Sequence, residues 1–513
     1  MKKMKKLAGL LLAAVMVLAM AVTVFADTAS TYKLTITDTK AGHTYEVYQI
    51  FTGDISGTSD NYVLSNVKYG ENYGANVTVG DIVPEDVLEA ITDADLYAQS
   101  YVPYGTAFKT VSSTAGSTEI SGLPAGYYLV KDGQAVTGQD AATKFILQVV
   151  GDTSIKVKSD VPTVEKKVKE NVKTVEGNAD TRIPTYTLDT GYNDVADYNI
   201  GDSVPFELVG TLPSNLADYT TYKYVFHDTL SGGLTFNDDV KVYLNTVTNE
   251  ISAEAYTVST SNGLTITFDN IKSVTGVDKD SKIIVRYTAR LNENAEIGLL
   301  GNTNEVYLEF SNNPNKGGEG ETGTTPEDKV IVFTYELDTT KVDGQTQAKL
   351  EGAEFKLHNS SNKWVIVDEN GKVTGWAETE ENGSVLTSDE NGLFKVIGLD
   401  AGTYGLKETK APTGYNLLAN EISLEVIATT INNQAWAGSA DAALTALQIK
   451  IGEKTENGDM ETGIVNATVE NNAGATLPST GGIGTTIFYV LGSVLVIAAA
   501  ILLITRKRMS ARK

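Results

Sequence analysis

The chain has 513 residues, too many for one ordinary hydrophobic core, so about three domains are expected. Its formal charge of −24 argues against binding to nucleic acids or to anionic membranes. Cysteine is absent, and the three histidines have no metal-like spacing. Disulfides are therefore excluded, and neither a metal site, a cofactor nor a His-based catalytic triad is expected.

Residues 1–26 have the pattern of a secretory signal peptide. Four lysines near the N-terminus precede an apolar run from Leu7 to about Phe25. Val24 and Ala26 supply small side chains at the positions that signal peptidase requires, so cleavage is predicted before Asp27. An uncleaved membrane anchor is the alternative.

Alternation of Thr, Val and Tyr with polar residues predicts half-buried strands in most of the remaining chain. We predict an N-terminal β domain over 27–160, with a helical patch at about Pro84–Ala98 because Pro84 is a good helix start. A second domain is predicted over 161–314. A polar, Gly-rich linker is expected at 315–329 and a third domain at 330–476.

A weak internal repeat relates the first and third domains. Gly122–Asp132 aligns with Gly398–Glu408, and Thr31–Leu34 aligns with Thr334–Leu337. Both domains are therefore expected to be variants of one β-sandwich. The predicted fold class is all-β, with tandem immunoglobulin-like sandwiches between a signal peptide and a C-terminal helix.

Three polar residues of the third domain fall on the inward faces of their strands. Each shares its face with an apolar neighbour two or four positions away: Lys341 with Leu337, Glu408 with Leu406, and Asn471 with Val469. Separate burial of such groups would be costly, but together they can react. Asn472 is the neighbouring alternative to Asn471, on the opposite face.

Residues 477–513 combine a short motif, an apolar span and a basic tail. The motif is Leu477-Pro478-Ser479-Thr480-Gly481, and Ile483–Thr505 is long enough to cross a bilayer. The combination resembles the LPxTG cell-wall sorting signal of Gram-positive surface proteins. That resemblance implies that a sortase cysteine attacks the Thr480 carbonyl, cuts before Gly481 and makes the membrane span transient.

The third domain resembles the Cna-B-type domains of Gram-positive pilins and adhesins, in Leu337–Asp343, Gly352–Leu357 and Leu406–Tyr415. In that family a first-strand Lys and a last-strand Asn condense into an isopeptide bond with the help of an acid. The resemblance implies a bond between Lys341 and Asn471, with Glu408 as the catalytic acid. Burial would favour a neutral amine and a protonated acid that shuttles protons as ammonia leaves. A buried ion pair with an Asn hydrogen bond is the alternative.

The second domain is similar to the other pilin domain type, with a Lys/Asp/Asn set. The resemblance points to Lys166, Asp228 as the catalytic acid, and Asn304. Lys167 and Asn302 are the alternatives, and a purely structural role stays open. In the first domain Asp38 occupies the place of Lys341, so no bond is expected there.

Pilin families also place an exposed lysine at the end of the first domain, where it accepts the sortase-bound threonine of another copy. Lys158 is the best placed here, and Lys156 is the alternative. The Tyr-Pro pair that usually precedes this lysine is missing.

The resemblance implies the major subunit of a covalent pilus on a Gram-positive cell, not an enzyme beyond its own autocatalytic bonds. Its expected partners are other copies of itself, a class C pilus sortase, the housekeeping sortase, accessory pilins and peptidoglycan, and a host ligand stays open. The internal bonds would lower the entropy of the unfolded chain. For loops of a hundred residues or more, this effect would raise the free energy of unfolding by about 4–5 kcal/mol. The alternative is a monomeric cell-wall-anchored adhesin.

Overall fold

The computed structural model describes residues 30–57, 62–157, 159–171, 183, 189, 191–261, 263–318, 320–431, 436, 438–473 and 483–510. The predicted signal peptide, Lys158 and the sorting motif Leu477–Gly481 lie outside the described residues. Strands dominate the described chain, and they form three pairs of sheets that we call the first, second and third regions.

The first region pairs a three-stranded sheet with a five-stranded one. Its strands are β1 (Thr31–Thr39), β2 (Thr44–Ser56), β3 (Val63–Tyr69), β4 (Lys109–Ser112), β5 (Gly116–Pro124), β6 (Gly126–Asp132), β7 (Lys144–Val149) and β8 (Thr153–Lys156). The sheet orders are β5-β1-β8 and β3-β2-β6-β7, with β4 beside β2. Strand β1 alternates as predicted, because Leu34 and Ile36 are fully buried between exposed or half-buried polar residues. The predicted helical patch consists of two short helices, α1 (Glu85–Glu89) and α2 (Ala94–Ser100).

The second region contains two larger sheets. Its strands are β9 (Val164–Lys169), β10 (Tyr192–Asn193), β11 (Val195–Asp197), β12 (Ser203–Thr211), β13 (Tyr224–Leu230), β14 (Leu234–Phe236), β15 (Lys241–Leu244), β16 (Thr257–Ser259), β17 (Leu264–Phe268), β18 (Lys282–Leu291), β19 (Asn302–Ser311), β20 (Thr322–Thr324) and β21 (Asp328–Phe333). One sheet has the order β10-β9-β12-β18-β14, and the other has the order β11-β21-β19-β13-β17-β16. The first strand β9 and the last long strand β19 therefore lie in opposite sheets, with the core of the region between them.

The linker expected at 315–329 is corrected by the strand pairing. Strands β20 and β21 both pair antiparallel with β19, and β21 also pairs parallel with β11. The apolar run Val330–Phe333 is buried, so it completes the second region instead of opening the third. The polar residues before it suggested a linker because Asn and Gly are frequent in loops.

The third region repeats the arrangement of the first. Its elements are β22 (Tyr335–Asp343), β23 (Glu354–Asn359), β24 (Trp364–Val367), β25 (Val373–Ala377), β26 (Leu386–Thr387), β27 (Leu393–Leu399), β28 (Gly402–Lys410), β29 (Ile422–Thr430), helix α3 (Ala440–Ala443), β30 (Leu444–Ile451), β31 (Lys454–Asn457) and β32 (Ile464–Asn471). Strand β22 lies between antiparallel β27 and parallel β32, as β1 lies between β5 and β8. The larger sheet has the order β25-β24-β23-β28-β29-β30-β31.

Backbone hydrogen bonds join the regions directly. Asn312 O accepts from Ala142 N at 2.7 Å between the first and second regions. Gly398 O accepts from Ile200 N at 3.0 Å between the second and third. The buried apolar residues of the second and third regions also form one continuous cluster, so these two regions pack directly against each other.

The last described element is helix α4 (Ile483–Ser510). Within the described residues, its stretch Ile487–Met509 is the one helix long and apolar enough to cross a membrane. Lys507 and Arg508 lie in its last turn, where positive charge complements the helix dipole. The all-β prediction with a C-terminal helix is therefore confirmed.

Candidate functional site

The third region brings Lys341, Glu408 and Asn471 into one buried cluster. Parallel pairing sets Lys341 of β22 opposite Val469 of β32, two residues before Asn471. Lys341 Nζ donates to Asn471 Oδ1 at 2.6 Å, and Asn471 Nδ2 donates to the two Glu408 carboxylate oxygens at 3.0 and 3.1 Å. Lys341 and Asn471 are completely buried and Glu408 is 5% exposed. The amide of Asn471 is therefore held between an amine and an acid.

Backbone groups keep this amide and this acid in position. Asn471 Nδ2 also donates to Asn416 O at 2.9 Å, and Leu418 N donates to Glu408 Oε2 at 2.8 Å. Burial lowers the pKa of Lys341 from its ordinary 10.5 to about 8, against the opposing effect of the Glu408 charge. A minor fraction of neutral, nucleophilic amine is thus available near neutral pH, larger than for an ordinary lysine. Asn472, the alternative, is exposed.

The second region brings Lys166, Asp228 and Asn304 around a fourth side chain. Lys166 Nζ donates to Asp228 Oδ2, and both residues are at most 2% exposed. Burial lowers the pKa of Lys166 and raises that of Asp228, so each moves toward its neutral form. Asn304 lies on β19, in the sheet opposite that of Lys166, and is completely buried.

Tyr287 of β18 links these three residues. Its hydroxyl is 3.1 Å from Lys166 Nζ, 3.0 Å from each Asp228 carboxylate oxygen and 2.7 Å from Asn304 Nδ2. Burial raises its pKa well above the ordinary value, which keeps the hydroxyl protonated. Tyr287 was not among the residues predicted from the sequence. The available signal was strand alternation, which puts its polar hydroxyl on the inward face with Val285 and Ala289.

The two asparagines considered for the second region have different surroundings. Asn302 accepts from Glu296 N and donates to Glu296 O and Val332 O, so all its hydrogen-bonding groups serve the backbone. Asn304 Oδ1 is buried without a hydrogen-bond partner among the described residues. Such an atom is costly in a core, and its lack of a hydrogen bond distinguishes the Asn304 amide from that of Asn302.

The first region lacks an equivalent amine. Asp38 has a left-handed φ of 59° and turns outward, where its carboxylate meets Lys156 Nζ at 3.1 Å. Asp132, at the position of Glu408, is buried against His43 Nδ1 at 2.8 Å. The pair Asp38 and Asp132 therefore does not assemble into a reactive cluster.

Of the two lysines considered as the intersubunit acceptor, the structure describes Lys156. Its side chain is 75% exposed at the end of β8.

Comparisons with known proteins match three segments of the chain. Residues 200–314 match the Gram-positive pilin backbone subunit 2, Cna-B-like domain, and residues 335–437 match the SpaA prealbumin-like fold domain. Residues 469–510 match the LPXTG cell wall anchor motif. The chain is 23% identical to the trypsin-resistant surface T6 protein of Streptococcus pyogenes serotype M6, across 93% of this chain and 95% of that protein.

A solved structure supports the fold. The T6 backbone pilin of serotype M6 Streptococcus pyogenes, described as a modular three-domain structure, superposes with a TM-score of 0.50 at 20% identity. The match covers 88% of this chain and 100% of that one.

These findings give the chain a backbone pilin domain, a prealbumin-like domain and a cell-wall anchor, which are domain types of structural pilin subunits. The anchor motif and helix α4 indicate a cell-wall-anchored surface protein. A backbone pilin domain with such an anchor also implies sortase processing and assembly with other pilin subunits.

Proposed function

We propose that this chain, built from backbone pilin domains and a cell-wall anchor, is the major shaft subunit of a covalent pilus, stabilised by two internal isopeptide bonds. The observation that carries the internal bonds is the third-region cluster, where Lys341 Nζ is 2.6 Å from the Asn471 amide oxygen. The observation that carries the pilus is the succession of matched domains before an LPXTG anchor.

In the third region the reaction is a condensation without redox change. The neutral Lys341 amine attacks Cγ of Asn471, and the Nζ–Cγ bond forms as the Cγ–Nδ2 bond breaks. Glu408, which contacts Nδ2, passes a proton from the attacking amine to this nitrogen, so that ammonia leaves. Because the bond ties the first strand to the last, a pulling force would pass through it instead of unzipping the sheets.

In the second region the same condensation would join Lys166 to Asn304 with Asp228 as the acid. Tyr287 is a positioning residue here, because it contacts all three groups and can relay a proton between Asp228 and the Asn304 amide. The unpartnered Asn304 Oδ1 would become the carbonyl oxygen of the new amide.

Polymerisation would use the C-terminal motif and a lysine of the first region. A class C sortase would cut between Thr480 and Gly481 and transfer Thr480 to Lys158 of the next copy, with Lys156 as the alternative. Lys156 is engaged with Asp38, which makes it the weaker candidate. The housekeeping sortase would attach the last subunit to peptidoglycan, and accessory pilins would join the same polymer.

An immunoblot of cell-wall extracts tests the polymer. We expect an SDS-resistant ladder that collapses to a single band in Lys158→Ala, while Lys156→Ala, the matched control, keeps it. A ladder lost only in Lys156→Ala would mean that Lys156, and not Lys158, accepts Thr480. A single band from the unmodified chain would reject the pilus and favour the monomeric adhesin.

Peptide mass spectrometry tests the internal bonds separately. The mature chain should lack two molecules of ammonia, with one branched peptide joining Lys341 to Asn471 and another joining Lys166 to Asn304. Unmodified masses at both sites would overturn the crosslinks without affecting the ladder.

A further inference from the structure

The outer face of β9 holds a second buried lysine that the proposed pilus function does not use. Lys167 points away from Lys166 and is 1% exposed. Its Nζ lies 2.5 Å from Asp194 Oδ1 and 2.6 Å from Glu165 Oε1. The side chains of Glu165 and Asp194 are 2% and 3% exposed. One amine and two carboxyl groups therefore share a site closed to water.

Asp194 is fixed by groups from three parts of the chain. Trp436 N of the third region donates to Asp194 Oδ2 at 2.8 Å. Ile331 N of β21 donates to Asp194 O at 3.0 Å. The carboxyl group thus presents Oδ1 to the lysine while a backbone N–H holds Oδ2. This arrangement suits an acyl group under attack, because the N–H can stabilise the negative charge that develops on oxygen.

The protons needed for a reaction are already present in the cluster. Glu207, the cross-strand neighbour of Lys167, is matched by Arg286 at 2.6 Å. With Lys167 charged and both Asp194 and Glu165 ionised, three charges are buried together. Transfer of one proton from Nζ to Asp194 Oδ1 leaves a neutral amine, a neutral acid and one carboxylate, which is less costly in a low-dielectric site.

We propose that Lys167 and Asp194 condense into a third internal isopeptide bond, with Glu165 as the catalytic carboxylate. The Nζ–Cγ bond forms while Oδ2 keeps its hydrogen bond to Trp436 N. Glu165 takes a proton from the attacking nitrogen and delivers it to the Oδ1 hydroxyl. The Cγ–Oδ1 bond then breaks and one water leaves, while Glu165 ends in its original ionisation state.

This bond would have a different structural effect from the two lysine–asparagine bonds. It would close the chain between β9 and the start of β11, at a point held against Trp436 of the third region. It would therefore crosslink two segments of the second region at the place where that region contacts the third, whereas the other two bonds would join the first strand of a region to β19 or β32.

Peptide mass spectrometry of the full chain, purified in detergent, tests the proposal. We expect a branched peptide joining Lys167 to Asp194 that lacks one water. Glu165→Gln should abolish this water loss while the Lys166–Asn304 ammonia loss persists, which also reports that the second region has folded. Separate, full-mass Lys167 and Asp194 peptides from the unmodified chain would reduce the cluster to an ion pair and overturn the proposal.

A second variant keeps the test independent of folding defects. Asp194→Asn replaces the leaving hydroxyl by an amine, so the reaction would release ammonia instead of water. Both proteins should then yield the same branched peptide, because an identical amide remains. If the variant gives no branched peptide while its Lys166–Asn304 bond forms normally, Asp194 is not the acyl partner. The branched peptide is detected at one site, Lys167–Asp194. Its absence can therefore be distinguished from the absence of the two ammonia losses or of the pilus ladder.

Discussion

The first and third regions arrange the same strands around chemically opposite centres. In each, the first strand lies between one antiparallel and one parallel partner. One strand of the larger sheet, β6 in the first region and β28 in the third, carries a buried acid at or near its C-terminal end. In the third region that acid, Glu408, meets an amide and an amine. In the first region Asp132 meets the imidazole of His43 instead. The third-region cluster therefore contains the groups that the proposed condensation needs, whereas the first-region cluster contains the groups of an ion pair.

A local change in β1 accounts for the difference. The pairing with β5 shifts between Thr37 and Thr39, and Asp38 takes a left-handed φ. A bulge of this kind rotates the residues after it. Asp38 therefore turns to solvent, while Thr39 turns inward and donates to Thr114 O at 2.5 Å. In β22 the alternation continues unbroken to Lys341, which stays inside.

His43 completes the first-region centre from a different strand end. Its Nδ1 contacts Asp132 and its Nε2 contacts Asp140 Oδ2 at 3.0 Å, so one imidazolium serves two carboxylates. Hydrogen bonds to Asp132 and then Asp140 raise the pKa of His43 to about 9, against the effect of burial. Such a centre depends on protonation, whereas an isopeptide bond does not.

The largest effect is expected from removing the third-region amine. Lys341→Met prevents the crosslink between positions 130 residues apart and restores the full entropy of the unfolded loop. The free energy of unfolding of the third region should fall by about 4–5 kcal/mol. Calorimetry of the mature chain measures it, with Lys450→Met on the exposed face of β30 as control. An unchanged third-region transition would mean that no bond forms there.

The next largest effect is expected in the first region. His43→Ala removes the imidazolium partner of the buried Asp132, while Asp140 keeps its ion pair with Lys40 Nζ at 3.0 Å. Breaking such a buried pair costs about 3 kcal/mol. The partial exposure of Asp140, 21% of its side chain, keeps the loss at the lower end of the range. Thermal unfolding should show the first-region transition moving down alone. The control is His227→Ala in the second region. If this variant lowers the first-region transition as much as His43→Ala does, the stabilising role of the His43 pair is refuted.

A smaller, graded effect is expected from pH. His43 has a raised pKa in the folded state, so its contribution is complete below about pH 6.5 and is lost as the pH rises through about 9. Asp140 has its pKa lowered from 3.8 to about 2, because hydrogen bonds from His43 and Lys40 outweigh its burial. Its contribution is present above pH 3.8 and is lost as the pH falls through about 2. First-region stability should therefore be highest between about pH 4 and 6.5, with the alkaline limb absent in His43→Ala.

From the sequence, strand alternation predicts those site residues whose polar side chains face inward and interrupt an apolar row. Lys341, Glu408 and Asn471 stand out because a charge or amide interrupts an apolar row. Tyr287 does not stand out, because a tyrosine fits such an apolar row. Its role depends on three hydrogen-bond partners that other strands supply. The residues before β21 misled for the same reason: Thr322–Thr324 pair with β19, and no local pattern reveals that pairing. The bulge at Asp38 likewise arises from pairing between distant strands.

The smallest effect is expected from restoring the missing residue type alone. Asp38→Lys gives the first region an amine at the aligned position, but the bulge directs that side chain to solvent, far from the acid at the end of β6. We expect no ammonia or water loss in the first region and a stability loss of about 1 kcal/mol, because the left-handed φ of 59° at this position suits Asp better than Lys. The lost ion pair with Lys156 adds little, because exposed pairs contribute about 0–1 kcal/mol. Peptide mass and thermal unfolding measure both outcomes. A new crosslink in this variant would show that lysine identity, and not the turn of β1, separates the two centres.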